Sequence, residues 1–221
     1  MKVLTPHTGY RLWAPHYETE TAVSYLEDRT VAELSIPTAG CRLLDAGCGT
    51  GRRLHAAGAA FGVGIDLTTE MLRRALDTDF VATADVCALP FAASVFDVVW
   101  CRLVIGHVRN IEAAYAEFAR VCRSGGAVVV SDVSPDAIAV GHRRTFRDDT
   151  GVVHEVEHFV HSREAHIEAA NAAGLELEQR RAGVIGPSIK RFYDEAGRLP
   201  AYEAQAGLPI VVALSWRKPI E

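Results

Sequence analysis

Residues 43 to 52 read Leu-Leu-Asp-Ala-Gly-Cys-Gly-Thr-Gly-Arg, an apolar run that meets an acid and then three glycines at alternate positions. Gly47, Gly49 and Gly51 carry no Cβ and reach positive φ without penalty, so the backbone can bend sharply there and approach a bound molecule closely. The pattern is that of a strand-to-helix turn in an open α/β sheet. Its spacing differs from G-x-G-x-x-G, which sets a helix N-terminus against a pyrophosphate. No G-x-x-x-x-G-K-[ST] phosphate loop occurs either. An acid two residues before the first glycine suits a ligand bearing an ammonium group better than a phosphate.

Two further apolar runs end in acids, Val63-Gly64-Ile65-Asp66 and Val81-Ala82-Thr83-Ala84-Asp85. Strands ending in Asp45, Asp66 and Asp85 are expected to line one crevice, because ligands of open parallel sheets sit beyond the strands' carboxyl ends at the topological switch point. Asp66 is placed to accept from two ribose hydroxyls, and Asp85 from the exocyclic amine of a base.

These segments, LDAGCGTG, GIDLTTEML, ADVCALPF and FDVVWCRLVIGHV, followed by RVCRSGGAVVVSDV, resemble the class I S-adenosylmethionine-dependent methyltransferases. The likeness is to the small-molecule group that includes the ubiquinone and menaquinone biosynthesis enzymes, and it covers most of residues 10 to 132. It implies an α/β, Rossmann-like sandwich: a seven-stranded, mostly parallel sheet with one antiparallel strand and helices on both faces. It implies S-adenosylmethionine as cofactor and S-adenosylhomocysteine as product. Gly47 to Gly51 would wrap the methionine part, with Asp45 and Cys48 in the same turn. Asp66 would hold the ribose, with Leu67 and Met71 beside it. Asp85 and Val86 would hold the adenine, and Cys101 and Leu103 would border the cofactor. Tyr10, Trp13 and Tyr17 resemble the family's N-terminal aromatic segment, whose rings attract a sulfonium and exclude water when closed; packing of the N-terminal helix is the plainer alternative.

Alternating strand and helix patterns predict a single domain over residues 1–221, with both faces of the sheet covered. The patterns place helices over Thr21 to Leu34, Arg52 to Phe61, Thr69 to Leu76, Ile111 to Cys122 and Arg163 to Ala173. Strands fall at Cys41 to Asp45, Phe96 to Cys101, Ala127 to Asp132, Leu175 to Val184 and Pro209 to Trp216, the last two paired antiparallel if the resemblance holds. Residues 1–35 would form a helical lid. The resemblance assigns 133–160 to the acceptor pocket, and the long connection 185–208 is expected to shield that pocket or a subunit contact.

His107, just after the fourth strand, is a candidate general base, with backbone bonding or stacking beneath the cofactor as its alternative. His142, with Arg143 and Arg144, is suited to clamp an acidic acceptor. His154, His158, His161 and His166 invite a metal reading. Val152 to Val160 alternates loosely like an exposed strand or lid; if it is a strand, period-2 alternation puts His154 and His158 on one face and His161 on the other, so no metal site is expected and His158 and His161 become pocket liners. The catalytic candidates are thus His107, His142 and His158.

A net charge of −5 argues against a nucleic-acid partner. No apolar run is long enough to span a bilayer, and five scattered cysteines fit a reducing cytoplasm. No (D/N)PPY follows the fourth strand, where Cys101-Arg102-Leu103-Val104 stands instead, which disfavours amino-group methylation of DNA. The expected partner is a small-molecule acceptor, methylated at oxygen, nitrogen or carbon by a monomer or homodimer. A non-catalytic cofactor-binding protein and a nicotinamide-dependent oxidoreductase are the competing readings.

Overall fold

The computed structural model describes residues 2–17, 20–75 and 80–220. A short strand, β1 (Lys2–Leu4), leads into α1 (Pro6–Trp13), which Thr5 caps and Pro6 opens. After a 3₁₀ turn comes α2 (Ala22–Ala32), started by a reciprocal Thr21–Ser24 capping box. The central elements are β2 (Arg42–Ala46), α3 (Arg52–Ala56), β3 (Phe61–Asp66), α4 (Thr69–Leu72), β4 (Phe80–Thr83), β5 (Phe96–Arg102), α5 (Ile111–Val121) and β6 (Cys122–Val133). The chain continues through α6 (Pro135–Ala139), β7 (Thr145–Arg147), β8 (Val153–Val156), α7 (Arg163–Ala172), β9 (Glu176–Val184), α8 (Lys190–Glu195), α9 (Leu199–Ala204) and β10 (Pro209–Arg217).

Seven strands form one sheet in the order β4-β3-β2-β5-β6-β10-β9, and β10 alone runs against its neighbours. This is the architecture the sequence implies. The chain moves outward from β2 through β3 to β4, then returns to lay β5 on the other side, so the switch point lies between β2 and β5. Leu43, Leu44, Asp45 and Ala46 are all buried because helices cover both faces of a central parallel strand. Leu44, Ile65, Val99, Tyr115, Phe118 and Trp216 pack on one face, and Leu34, Leu43, Leu54, Trp100 and Val129 on the other.

Local signals overextended several elements. The helix expected to run to Phe61 stops at Ala56: Thr38 Oγ1 donates to the Ala57 carbonyl at 2.6 Å, Gly58 adopts φ +63°, and Phe61 joins β3. The helix from Thr69 ends at Leu72, and its expected terminus at Leu76 lies outside the described residues. The fourth helix gives way at Cys122 directly to β6, so Gly125 and Gly126 lie inside a strand.

A second, three-stranded sheet has the order β1-β8-β7, with β1 parallel to β8. It buries Leu4, Phe146 and Val156 against Tyr10 and Trp13, and thereby ties the N-terminal segment to the stretch after β6. No helix among the described residues is long and apolar enough to cross a membrane.

Candidate active site

Leaving β2, the chain reverses through Gly47, whose φ is +89° and where any Cβ would run into the methyl groups of Val104. The Gly47 and Cys48 N–H groups donate to the Ile65 carbonyl at 2.7 and 2.8 Å, locking the turn to β3. Asp66 completes the lock, accepting from the Gly49 N–H at 2.9 Å and the Thr68 N–H at 2.8 Å. Burial pushes its carboxyl above the usual range, against those two backbone donors. An ionised carboxylate has about four acceptor positions, so both oxygens still have capacity for ligand hydroxyls.

The turn is the floor of a cleft of about 670 Å³, within the usual range for small-molecule sites. Gly47, Cys48, Gly49, Asp66, Leu67, Met71, Asp85, Val86 and Leu103 line one part of it, and Tyr10, Trp13 and Tyr17 another. Leu103 takes the left-handed conformation at φ +56°, a strained bend held by its N–H donating to the Ser131 carbonyl at 2.9 Å. Three expected cofactor positions are not in the lining, nor is His161, expected beside the acceptor. Gly51 is the N-cap of α3, Cys101 is fully buried within β5, and Asp45 is only 2% exposed inside β2. Desolvation raises the Asp45 pKa to about 6, with the nearby Arg102 and Arg53 working against it.

All three candidate histidines line the cleft, in different settings. His107 Nδ1 lies 2.7 Å from the Glu157 carbonyl, which can only accept, so that nitrogen carries the proton. Nε2 is then an acceptor and takes the Tyr10 hydroxyl at 2.8 Å. Burial, reinforced by the Arg144 guanidinium, lowers the His107 pKa to about 3. His142 Nε2 meets Gln205 Oε1 at 3.0 Å. His158 Nε2 meets Asp132 Oδ1 at 3.3 Å, while its buried Nδ1 has no partner.

Of the remaining histidines, His154 pairs with Asp148, while His161 and His166 meet edge to face with centroids 5.9 Å apart, His161 reaching the Val108 carbonyl and His166 the Tyr115 hydroxyl. The arginine clamp divides too. Arg143 donates to the Ile138 and His142 carbonyls, whereas Arg144 lies over the Tyr10 and Trp13 rings, 5.6 and 6.0 Å from their centroids. The aromatic wall expected to face a sulfonium therefore already carries a cation. Of the two supposed pocket segments, 133–160 supplies lining residues from Val133 to His158. The connection 185–208 supplies none; it packs through Ile185, Ile189, Tyr193 and Leu208 against Leu26 and Ile210, and reaches the site only indirectly, where Gln205 holds His142.

Sequence reasoning missed a buried ionic network. Glu27, wholly buried on α2, accepts from Arg102 Nε at 2.9 Å, Ser131 Oγ at 2.6 Å and Arg53 at 2.8 Å. Burial opposes ionisation of Asp28, but Arg53, Arg52 and Arg102 hold its pKa down at about 2. A signal existed: Glu27 falls on the stripe of Val23, Leu26, Thr30 and Val31, where an acid needs a buried partner. Asp132 was missed as well, being read only as the last residue of a strand.

The strand order, the glycine turn and the acid at the tip of β3 together define a class I S-adenosylmethionine-dependent methyltransferase architecture. The family profile described as "Methyltransferase domain" matches residues 44–130. The 27-O-demethylrifamycin SV methyltransferase of Amycolatopsis mediterranei is 32% identical over 247 residues, covering 96% of this chain and 89% of that protein. The malonyl-[acyl-carrier protein] O-methyltransferase of Erwinia billingiae is 33% identical over 131 residues, covering 57% of this chain and 52% of that protein, so the chain spans about half of its length. An S-adenosylmethionine-dependent methyltransferase from Mesorhizobium loti shares the fold, with a TM-score of 0.68 at 20% identity over 89% of this chain and 99% of its own. The chain belongs to the S-adenosylmethionine-dependent methyltransferase family, and the nicotinamide-dependent alternative falls with that assignment.

Proposed function

We propose that this protein methylates an oxygen of a small, natural-product-like acceptor, with His158 as general base and Asp132 as its positioning residue. S-adenosylmethionine supplies a methyl group on a sulfonium, an already activated electrophile, and leaves as S-adenosylhomocysteine. The residues present fit this cofactor: Gly47, Cys48 and Gly49 line the cleft with a turn whose glycines take positive φ, and Asp66 and Asp85 offer carboxylates in the same lining. Asp66 would receive the ribose hydroxyls, Asp85 and Val86 the adenine edge, and Leu67 and Met71 its faces. Tyr10, Trp13 and Tyr17 would close the cleft to water.

Oxygen is favoured because a hydroxyl needs a base, and His158 beside Asp132 is suited to serve as one. The Asp132 carboxylate accepts from His158 Nε2–H, which leaves the lone pair on Nδ1 to take the acceptor's proton. His107 lacks this freedom because both ring nitrogens are engaged and the imidazole is a weak base at a pKa of about 3. The name of the rifamycin-modifying relative points to O-methylation as well. The unpartnered, buried Nδ1 of His158 beside a buried carboxylate is the observation that carries the proposal.

His158→Ala should lower kcat by about 10²- to 10⁴-fold on a hydroxylated acceptor such as a demethylated macrocycle, with S-adenosylhomocysteine affinity unchanged by calorimetry. Asp132→Asn should lower kcat and alter the pH profile. A His158→Ala enzyme with wild-type kcat would assign the proton to another group; cofactor binding without turnover on any hydroxylated acceptor would leave a non-catalytic binding protein.

A further inference from the structure

We infer that Arg144 is the receptor for a carboxylate carried by the methyl acceptor, so that the substrate of this enzyme is an organic anion. The inference rests on the methyltransferase reading and names the chemistry of the acceptor. Among the other arginines of the cleft, Arg53 and Arg102 hold Glu27 and Asp28, Arg52 holds Asp28, Arg143 lies 3.7 Å from Glu155, and Arg109 lies over the Phe159 ring. Arg144 has no carboxylate at ion-pair distance among the described residues. Its neighbours are the Tyr10 and Trp13 rings and the Tyr17 hydroxyl, which Nη2 approaches at 3.5 Å, and its buried Nε has no acceptor.

A buried charge without a counterion is unfavourable, and stacking on aromatic faces offsets only part of the cost. Stacking also leaves the edge of the planar guanidinium, where its N–H groups point, available to fork a carboxylate. The backbone is held as well, because the Arg144 carbonyl accepts from the Val156 N–H at 2.8 Å. Arg144 belongs to the end of the cleft that holds the candidate histidines: it lies over the Tyr10 ring, whose hydroxyl donates to His107 Nε2 at 2.8 Å, and the His107 ring stands 5.8 Å from that of His158. A sulfonium entering this cleft meets a second cation, and a bound anion relieves that repulsion. Anion and cofactor should therefore bind with positive coupling, more strongly for S-adenosylmethionine than for the uncharged thioether of S-adenosylhomocysteine.

The test is calorimetric titration of benzoate, and of its neutral isostere benzamide, into protein loaded with S-adenosylhomocysteine. Wild type should bind benzoate, and Arg144→Gln should weaken that binding at least tenfold while leaving benzamide and S-adenosylhomocysteine affinities unchanged. Arg144→Lys, which keeps the charge and loses the fork, should show a several-fold loss, and it serves if the glutamine variant does not fold. The other source of a carboxylate is the cofactor's own methionine end. If Arg144→Gln weakens S-adenosylhomocysteine tenfold but spares 5′-methylthioadenosine, the residue reads the cofactor and the acceptor assignment is overturned. Absence of benzoate binding by wild type, or equal binding by the variants, overturns it too. Failure of wild type to bind S-adenosylhomocysteine would instead defeat the methyltransferase reading.

Discussion

Asp66 does two jobs with one carboxylate: it pins the glycine turn through the Gly49 N–H and faces the cleft with its remaining acceptor capacity. Asp66→Ala should weaken S-adenosylhomocysteine binding by about 1 to 3 kcal/mol through lost hydrogen bonds, with Asp66→Asn intermediate. Calorimetry showing unchanged affinity for the alanine variant would put the ribose elsewhere. Asp66 was legible in sequence because a strand tip and an acid are adjacent signals. Asp45, a strand-tip expectation, and Cys101, placed by the resemblance, lie instead within strands covered on both faces and are 2% and 0% exposed. His158 was identified as a pocket residue, but the carboxylate that distinguishes it from His107 and His142 stands 26 positions away.

Among the elements, the small sheet was announced only in part: the alternation over Val152 to Val160 anticipates β8, but not its partners β1 and β7. Lys2–Leu4 is too short to carry a strand signal, and its partner Val153–Val156 lies some 150 positions later. Packing Leu4 beside Phe146 and Val156 fastens α1, and with it the aromatic wall, over the cleft. Leu4→Ala should destabilise this strap by about 2 kcal/mol while the seven-stranded sheet stays intact. Hydrogen exchange should then show faster exchange in α1 and unchanged protection in β2, β5 and β6. Uniform loss of protection would mean that the strap and the main sheet open as one unit. The long helices were legible because caps and apolar stripes are local: Thr21, Asn110 and Ser162 each cap the helix that follows. Their ends were less so, since Gly58 and the contact of Thr38 with Ala57 decide where α3 stops.

For the whole molecule, two buried groups tilt acid stability in opposite directions. His107 is held neutral, with its pKa lowered from about 6.5 to about 3. Its contribution is complete above pH 6.5 and fades as the unfolded chain takes up a proton that the folded chain refuses, by about 2 kcal/mol between pH 7 and pH 5. Asp45, raised to about 6, acts the other way, because between pH 6 and about 4 the folded state keeps a proton that the unfolded chain releases. Relative to wild type, His107→Gln should therefore gain stability as pH falls from 7 to 5, and Asp45→Asn should lose it. Urea titrations at both pH values measure this, and parallel slopes for all three proteins would refute it. The glycine turn, the strands that lead into it and the acid at the tip of β3 were written into the chain because each depends on neighbours within a few residues. Which acids face the cleft, which candidate histidine meets a carboxylate and why Arg144 meets none among the described residues were decided only by packing, which brings together side chains far apart in sequence and sets their desolvation.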